Sequence, residues 1–508
     1  MNKTSLFLGL TGGLTLLLLL VVASHAVPFG MPRVWAWEYH ALGAPQRVLL
    51  SLFGLAAVTG ALLGPVRRLL GESPTRRSEG RALAALWLAG VVMAISTALM
   101  HPGGFMQMAT LIINPASNSY YSTALQQPDA PELLRDYDVK MRGFVSHAQT
   151  QSAGPVALSG LLRRAFTSLP GLEDIADTFF AISPGVNSEF IARYAARWWQ
   201  VSLSRADAGA ALMIAFFLIG LGSLAVAPIY FLGKWLYDAN IGIWAAVGFT
   251  LLPSFHLFTP SVDQMYPLVT AVALCLGMLA SRSARNGWGW MGFMGLWLSV
   301  AVFMNMGLVV LVPLCALFTI LRLGQQDSVR PDWKWVPAFV FGLVAPWFLL
   351  RLLLGYDLLA VFHASDELRN ALYARQYRSY SLALVGNLVD FFAFAGVPVA
   401  LLFAWRLAGA GRGLVRRSAS LVDSLTAEPL LWAFMLVLIA LELSGKTRGE
   451  VARMWMFLTP CVLLTGAAQA RAVMAASEIR PHVRAGTLIT LQFVHIVVFQ
   501  YFVRVWGY

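Results

Sequence analysis

The sequence predicts an all-α, polytopic membrane protein of about thirteen transmembrane helices, and three observations predict it. Only 12% of its 508 residues are charged, where soluble domains carry about 25%, and the mean hydropathy is +0.67. Many apolar runs approach or exceed the ~18 residues that span a bilayer. These runs are long and lack the alternation of barrel strands, so helices are the expected spanning structure. Finally, the arginines of the short connecting loops fall on one side of the alternation.

In chain order, spans are expected at 5–27, 46–65, 82–100, 207–232, 240–259, 264–281, 288–304, 306–322, 335–354, 381–406, 429–445, 453–470 and 486–503. The first follows Lys3 and runs from Leu6 to Ala23, ending near "SHA", which could pass as a cleavage site. Its length exceeds the 7–15 residues of a signal-peptide core, so an uncleaved span is expected. Segment 66–81 holds Arg67, Arg68, Arg76, Arg77 and Arg81; segment 407–428 adds Arg412, Arg416 and Arg417; segment 471–485 adds Arg471, Arg480 and Arg484. The positive-inside rule makes that side cytoplasmic. The N-terminus is then inside, and the C-terminal "RVWGY" outside. A bacterial inner membrane is the expected location.

That alternation leaves residues 101–206 as a large external segment, with smaller ones at 355–380 and 446–452. The chain is thus expected to comprise N-terminal membrane helices (1–100), an external helical loop (101–206) and a membrane bundle (207–508). Within the loop, "GPVALSGLLRRAFTSL" sets Val156, Leu158, Leu161, Leu162 and Phe166 near helical spacing, with Arg163 and Arg164 off the stripe. "SEFIARYAARWWQVSL" does the same with Phe190, Ile191, Tyr194, Trp198 and Val201. Apolar-faced helices bearing Trp and Arg suit a membrane interface. No internal repeat supports the inverted halves of a transporter.

The net charge of +12 records loop topology rather than a nucleic-acid partner, because no basic stripe with interleaved aromatics lies on a soluble segment. Cys275, Cys315 and Cys461 sit inside apolar runs without the spacings of zinc or redox sites. No cofactor is demanded. A divalent metal is compatible with the sequence, but no ligand cluster requires one.

Four polar clusters stand out. "SHAQTQSAGPVAL" (146–158) concentrates hydrogen-bonding groups before a helix start. Free N–H groups and the positive dipole end there favour an anion such as phosphate, with His147 as a further donor; the competing reading is a polar loop that caps the helix. "LFTPSVDQMYPL" (257–268) puts Asp263 in a tight external hairpin, either solvated or aimed into an outward cavity. "SGKTRGEVARMWMFLTP" (444–460) clusters Lys446, Arg448 and Arg453 externally, for lipid headgroups or a substrate phosphate. "GNLVDFFAFAG" places Asn387 and Asp390 on one helix face within a span, where ionisable residues are costly; substrate contact and an interhelical hydrogen bond are both open.

Together these features resemble the GT-C superfamily of membrane glycosyltransferases, near the glycosyltransferase family 39 group that includes protein O-mannosyltransferases and the lipid A aminoarabinose transferase. A first-loop family pattern similar to "H-x-x-T-H-P-P-G-P" corresponds to His147, Thr150, Gln151, Ser152, Ala153, Gly154 and Pro155. "NPASNSYYSTAL" (114–125), with Asn118 and Tyr121, resembles the stretch that opens that loop, and "RMWMFLTP" (453–460) a late "R-L-W-x-F-x-x-P" segment. The likeness is loose and runs from about residue 100 onward. Gln151-Ser152-Ala153 replaces His-Pro-Pro, and the family's early loop carboxylate is absent, Asn114 and Asn118 standing instead.

The resemblance implies transfer of a sugar from a polyprenyl-phosphate donor to an acceptor glycan, lipid or protein on the external face. Asp263 or Asp138 would be the general base. His147, Asn118, Tyr121, Arg448, Arg453 and Asp390 would hold substrate. A transporter or flippase for a lipid-linked or anionic solute is the rival reading, kept alive by Asp390. A non-catalytic assembly factor is the third, kept alive by the missing loop acid.

Overall fold

Long apolar runs become long helices because a bilayer leaves the backbone amides no other partner. The computed structural model describes residues 3–31, 34–71, 75–283, 285–325, 332–415, 421–475 and 481–505. In it α1 (Lys3–Ser24), α2 (Pro45–Gly71), α3 (Arg76–Ala98), α4 (Arg205–Leu236), α5 (Ala239–Leu257), α6 (Val262–Arg282), α7 (Gly287–Met304), α8 (Met306–Leu323) and α9 (Trp335–Leu354) are long and apolar enough to cross a membrane. So are α15 (Thr459–Ala475) and α16 (Pro481–Phe502), whereas α10 (Leu358–Arg375) is not. Two bent pairs, α11–α12 (Tyr380–Ala395 and Val397–Val415) and α13–α14 (Leu421–Ala427 and Pro429–Leu443), raise the number of described crossings from 11 to 13. The protein is a polytopic helical membrane protein.

The rim that carries residues 101–204 is called the upper rim here. Between α3 and α4 the chain forms short helices, the longest being Gly104–Ile113, Gly154–Thr167, Leu172–Phe180 and Ser188–Trp199. In Ser188–Trp199, Ile191 and Ala195 are buried while Phe190, Tyr194 and Trp198 form a ring row with 6.3 Å centroid steps. The single apolar side expected from the sequence is thereby divided: Ile191 and Val201 face the core, while Phe190 and Trp198 are exposed. The Ser204–Asp207 capping box starts α4, and Asp207 also binds Arg163 at 2.7 Å.

Helices α7 and α9 meet backbone to backbone. A Cβ on Gly295 would stand 2.2 Å from the Phe339 carbonyl oxygen, so only glycine permits that crossing. The outward face of α9 is apolar, with Phe341, Leu352 and Leu353 all at least 69% exposed. In a membrane protein that is the lipid-facing side.

One expectation needs correction. The span expected at 381–406 is two helices set at 117°. Asn387 and Asp390 of α11 bind loop 447–452, and the Phe394 ring packs on Phe29 and Phe499, so α11 runs along the upper rim. α12 continues from the corner, and Arg406, midway along it, pairs with Glu428. The corner is Gly396, with φ +95°, where any Cβ would also strike Gln492. Pro398 sits in the first turn of α12, where its missing N–H costs nothing. The helical fold also carries a small three-stranded antiparallel ribbon, β1 (Phe29–Met31), β2 (Trp35–Tyr39) and β3 (Val503–Arg504), in the order β1-β2-β3. Trp37 pairs opposite Phe29, and Tyr39 opposite Val503. The segment after α1 thereby joins the segment after α16 beside the site.

Candidate functional site

Under the upper rim lies a cavity of about 470 Å³ with two chemically different ends. Its polar end gathers Asp263, Tyr120, His147, Arg378, Glu450 and Arg453; its apolar end is a groove between Val309, Val310, Pro313 and Leu317 on α8 and Leu436, Val437, Ala440 and Leu441 on α14. Val309 and Leu436 are 44% and 48% exposed, so the groove opens sideways at the apolar surface. The lining carries four basic side chains (Arg369, Arg378, Lys446, Arg453) against two acidic ones (Asp263, Glu450), an excess of positive charge that suits an anion.

Arg453 is the hub. Its side chain lies 3.5 Å from Asp263 Oδ2 and 3.0 Å from Glu450 Oε2, and its Nη1 is 3.2 Å from His147 Nε2. Burial alone would lower its pKa, but Asp263 and Glu450 outweigh burial and raise it. Glu450 has a second cation, Arg378 Nη2 at 3.1 Å. Burial pushes its carboxyl up, yet Arg453 and then Arg378 hold it below the ordinary range. Desolvation, reinforced by Arg453, pushes His147 down to about 3. Its imidazole is therefore neutral, donating to the Ser117 carbonyl and accepting from Arg453.

Local structure explains these directions. Asp263 sits in the α5–α6 hairpin, whose Gln264 amide donates to the Phe255 carbonyl (2.9 Å) and Thr259 Oγ1 (2.7 Å). Loop 444–455 is clamped by α11: Asn387 Nδ2 donates to the Thr447 carbonyl and its Oδ1 accepts from Gly449 N, both at 3.0 Å. Asp390 accepts from Ala452 N at 3.0 Å and from Trp37 Nε1 at 2.5 Å. Glu450 takes a left-handed conformation, φ +58°, inside this clamp.

Of the residues singled out in the sequence, Asp263, Asn118, His147, Lys446 and Arg453 line the cavity together, with Thr150 and Gln151 of the first-loop pattern. Asp138, Tyr121, Arg448 and Asp390 do not. Asp138, on the short helix Tyr137–Lys140, is outside the lining. Tyr121 is fully buried and donates to the Asp207 carbonyl at 2.7 Å, while its neighbour Tyr120 faces the cavity. Arg448 stacks on the Tyr373 and Tyr380 rings (5.5 and 5.7 Å) and donates to the Arg378 carbonyl. Asp390 is consumed by the clamp.

The helix start at Gly154 faces a wall instead of an anion site. A Cβ there would lie 2.1 Å from the Phe303 carbonyl oxygen, which shows how tightly α7 plugs it. Stretch 146–152 is instead held internally: Ser146 Oγ donates to Ala116 O (3.0 Å), Ala148 N to Ser119 Oγ (2.8 Å), and Ser365 Oγ to Thr150 O (2.6 Å). Sequence reasoning also missed Glu450, Arg378 and Trp35. Glu450 lay inside the quoted basic cluster, and its acid among bases was the available signal.

A second cavity of about 390 Å³ shares His147, Thr150, Leu372, Arg378, Glu450 and Arg453 with the first. Its remaining lining includes Trp35 and Trp37 of the ribbon. Among the described residues, no group of three or more His, Cys, Asp or Glu side chains is placed to hold a metal ion.

No protein-family model and no curated protein matches this chain. Two solved structures are among those it is similar to. One is an oligosaccharyltransferase from Archaeoglobus fulgidus in complex with Zn and sulfate (TM-score 0.40, 13% identity, 62% of this chain and 44% of that chain). The other is the archaeal oligosaccharyltransferase AglB from the same organism, in complex with an inhibitory peptide and a dolichol-phosphate (TM-score 0.35, 12% identity, 82% of this chain and 56% of that chain). The chain spans about half the length of these structures.

Proposed function

We propose that this protein is a GT-C-type glycosyltransferase that moves a sugar from a polyprenyl-phosphate donor to an acceptor at the external rim of a bacterial inner membrane. The observation that carries the reading is the cavity's two-ended chemistry. An anion-binding head joined to a laterally open apolar groove fits a phosphate attached to an isoprenoid tail. In this reading 101–206 roofs a bundle made by 1–100 and 207–508, with the N-terminus inside and the C-terminus outside.

In the reaction an acceptor O–H attacks the anomeric carbon. The carbon–oxygen bond to phosphate breaks and its electron pair leaves on the phosphate oxygen. Arg453 and Arg378 meet that growing charge. The acceptor proton passes to a carboxylate, and Asp263 is the better placed of the two. It has one cation beside it, whereas Glu450 is held between two. Glu450 then orients both guanidiniums.

Asp390, the feature that kept the transporter reading alive, is bound to the Ala452 amide and the Trp37 indole, which supports the enzyme reading. The test is binding of labelled polyprenyl phosphate to the purified protein. Arg453→Ala should weaken it about ten- to a hundred-fold, the equivalent of losing about 1.5–3 kcal/mol of charge-assisted hydrogen bonding. Arg448→Ala, outside the cavity, should have a smaller effect, and Arg412→Ala on the lower rim none. Equal small effects at all three would leave only headgroup anchoring and remove the donor site.

A further inference from the structure

The second cavity has a lining unlike the first. Apart from the six shared residues, its walls are Trp35, Trp37, Phe258, Ser117, Ser146, Gln149, Gln376, Ala116, Leu368 and Val505, with no ionised side chain among them. Aromatic faces alternate with hydroxyls and amides. Two polar atoms there are unpaired among the described residues: Ser117 Oγ, on a residue only 5% exposed, and the indole Nε1 of Trp35. A buried donor without a partner is costly, so such atoms mark where a ligand's hydrogen bonds belong. Trp37 and Trp35 meet edge to face at 5.5 Å, and the Trp37 nitrogen is already committed to Asp390. This fixes the ribbon wall before any ligand arrives. The volume falls within the roughly 300–1,000 Å³ of small-molecule sites.

We infer that this cavity is the acceptor subsite and that the acceptor it takes is a saccharide. The inference rests on the donor reading of the first cavity. A sugar presents C–H faces to the aromatic rings and hydroxyls that both donate and accept, which Ser117, Ser146, Gln149 and Gln376 can match. Its neutrality suits walls without charge. A charged peptide segment would find no counter-ion outside the shared partition. The partition itself, His147, Glu450 and Arg453, is where the two substrates meet: an acceptor hydroxyl entering from the ribbon side reaches the end where the donor phosphate lies. The acceptor oxygen then becomes the new glycosidic oxygen, so the product is an extended glycan. The chain segments beside α1 and α16, joined as the ribbon, thus supply the specificity wall.

The test uses the full chain in lipid nanodiscs with two probes read separately: labelled polyprenyl phosphate, and paired arrays of mono- to tetrasaccharides and of Ser-, Thr- and Asn-containing peptides. Wild type should bind a subset of the saccharides and none of the peptides. Trp35→Ala and Ser117→Ala should each weaken saccharide binding about tenfold or more, the loss of one or two contacts. Polyprenyl-phosphate binding should stay within about twofold in Ser117→Ala, and in Trp35→Phe rather than Trp35→Ala, because Trp35 also carries the Arg378 guanidinium on its ring at 4.8 Å. Ser117 Oγ has no hydrogen-bond partner among the described residues, so Ser117→Ala removes no bond seen there and reports on ligand. Trp35→Phe, which keeps an aromatic face, should recover part of the affinity lost in Trp35→Ala. Binding of peptides instead of saccharides, binding to neither array, or saccharide affinity unchanged in both Ala variants would overturn the inference. Failure of wild type to bind polyprenyl phosphate would instead overturn the donor reading, whatever the arrays show.

Discussion

At the scale of single residues, the site is an argument about which carboxylate is free to take a proton. Glu450 is flanked by Arg378 at 3.1 Å and Arg453 at 3.0 Å, and its depressed pKa makes it a weak base. Asp263 meets Arg453 alone, at 3.5 Å, on a hairpin made stiff by Gln264. General-base catalysis contributes about 10²–10⁴-fold. Asp263→Asn should therefore lower turnover of a lipid-linked sugar by that factor, with polyprenyl-phosphate binding retained. Asp138→Asn should leave turnover unchanged, because Asp138 lines neither cavity. Near-normal turnover of Asp263→Asn, measured with radiolabelled donor, would move the base to Glu450 or remove the enzyme reading. Asp263, His147 and Arg453 were legible in the sequence because each is a polar residue set against an apolar background. Arg448 was misread for the same reason: charge and position said nothing of the Tyr373 and Tyr380 rings that occupy it. Glu450 was passed over because a lone acid among bases looks like charge balance until its two partners are seen.

At the scale of elements, α11 decides the shape of loop 444–455 without lining either cavity. Asn387 and Asp390 are three residues apart, so both face loop 447–452 and satisfy three of its backbone groups. Asp390 extends the clamp to the ribbon through Trp37. The i, i+3 spacing was visible in the sequence, but the partner was not, because it lies some sixty residues downstream. The bend at Gly396 was also written there, as Gly-Val-Pro, and hydropathy alone read across it. Asp390→Asn keeps one acceptor oxygen and sets an amide against a donor. It should cost about 1–3 kcal/mol in unfolding free energy, the penalty of an unsatisfied buried group. A double-mutant cycle with Trp37→Phe should show coupling of about 0.5–3 kcal/mol. Additive effects in thermal or denaturant unfolding would mean that the Trp37–Asp390 bond holds nothing together.

For the whole molecule, the periodic and compositional signal was strong enough to place the spans, since a bilayer imposes length and apolarity on every crossing helix. What the sequence could not give is which rim elements meet, because those contacts depend on a few polar pairs separated by up to hundreds of residues, such as His147 with Arg453. Orientation rests on the arginines of the lower loops, and it carries the external placement of both cavities with it. The α2–α3 connection and the Tyr137–Lys140 helix lie on opposite rims if the described helices alternate as thirteen crossings, with α11 on the rim and α12 as the crossing helix. Thr75, before α3, and Val139, at 64% exposure, offer accessible positions for single cysteines. The native Cys275, Cys315 and Cys461 are all buried, so an impermeant maleimide reads the introduced thiol. In sealed cells Val139→Cys should label from outside, and Thr75→Cys only after the membrane is opened. The reverse pattern would invert the protein and place both cavities in the cytoplasm; labelling of both from one side would mean that α3, the span between the two positions, does not cross, and would break the alternation.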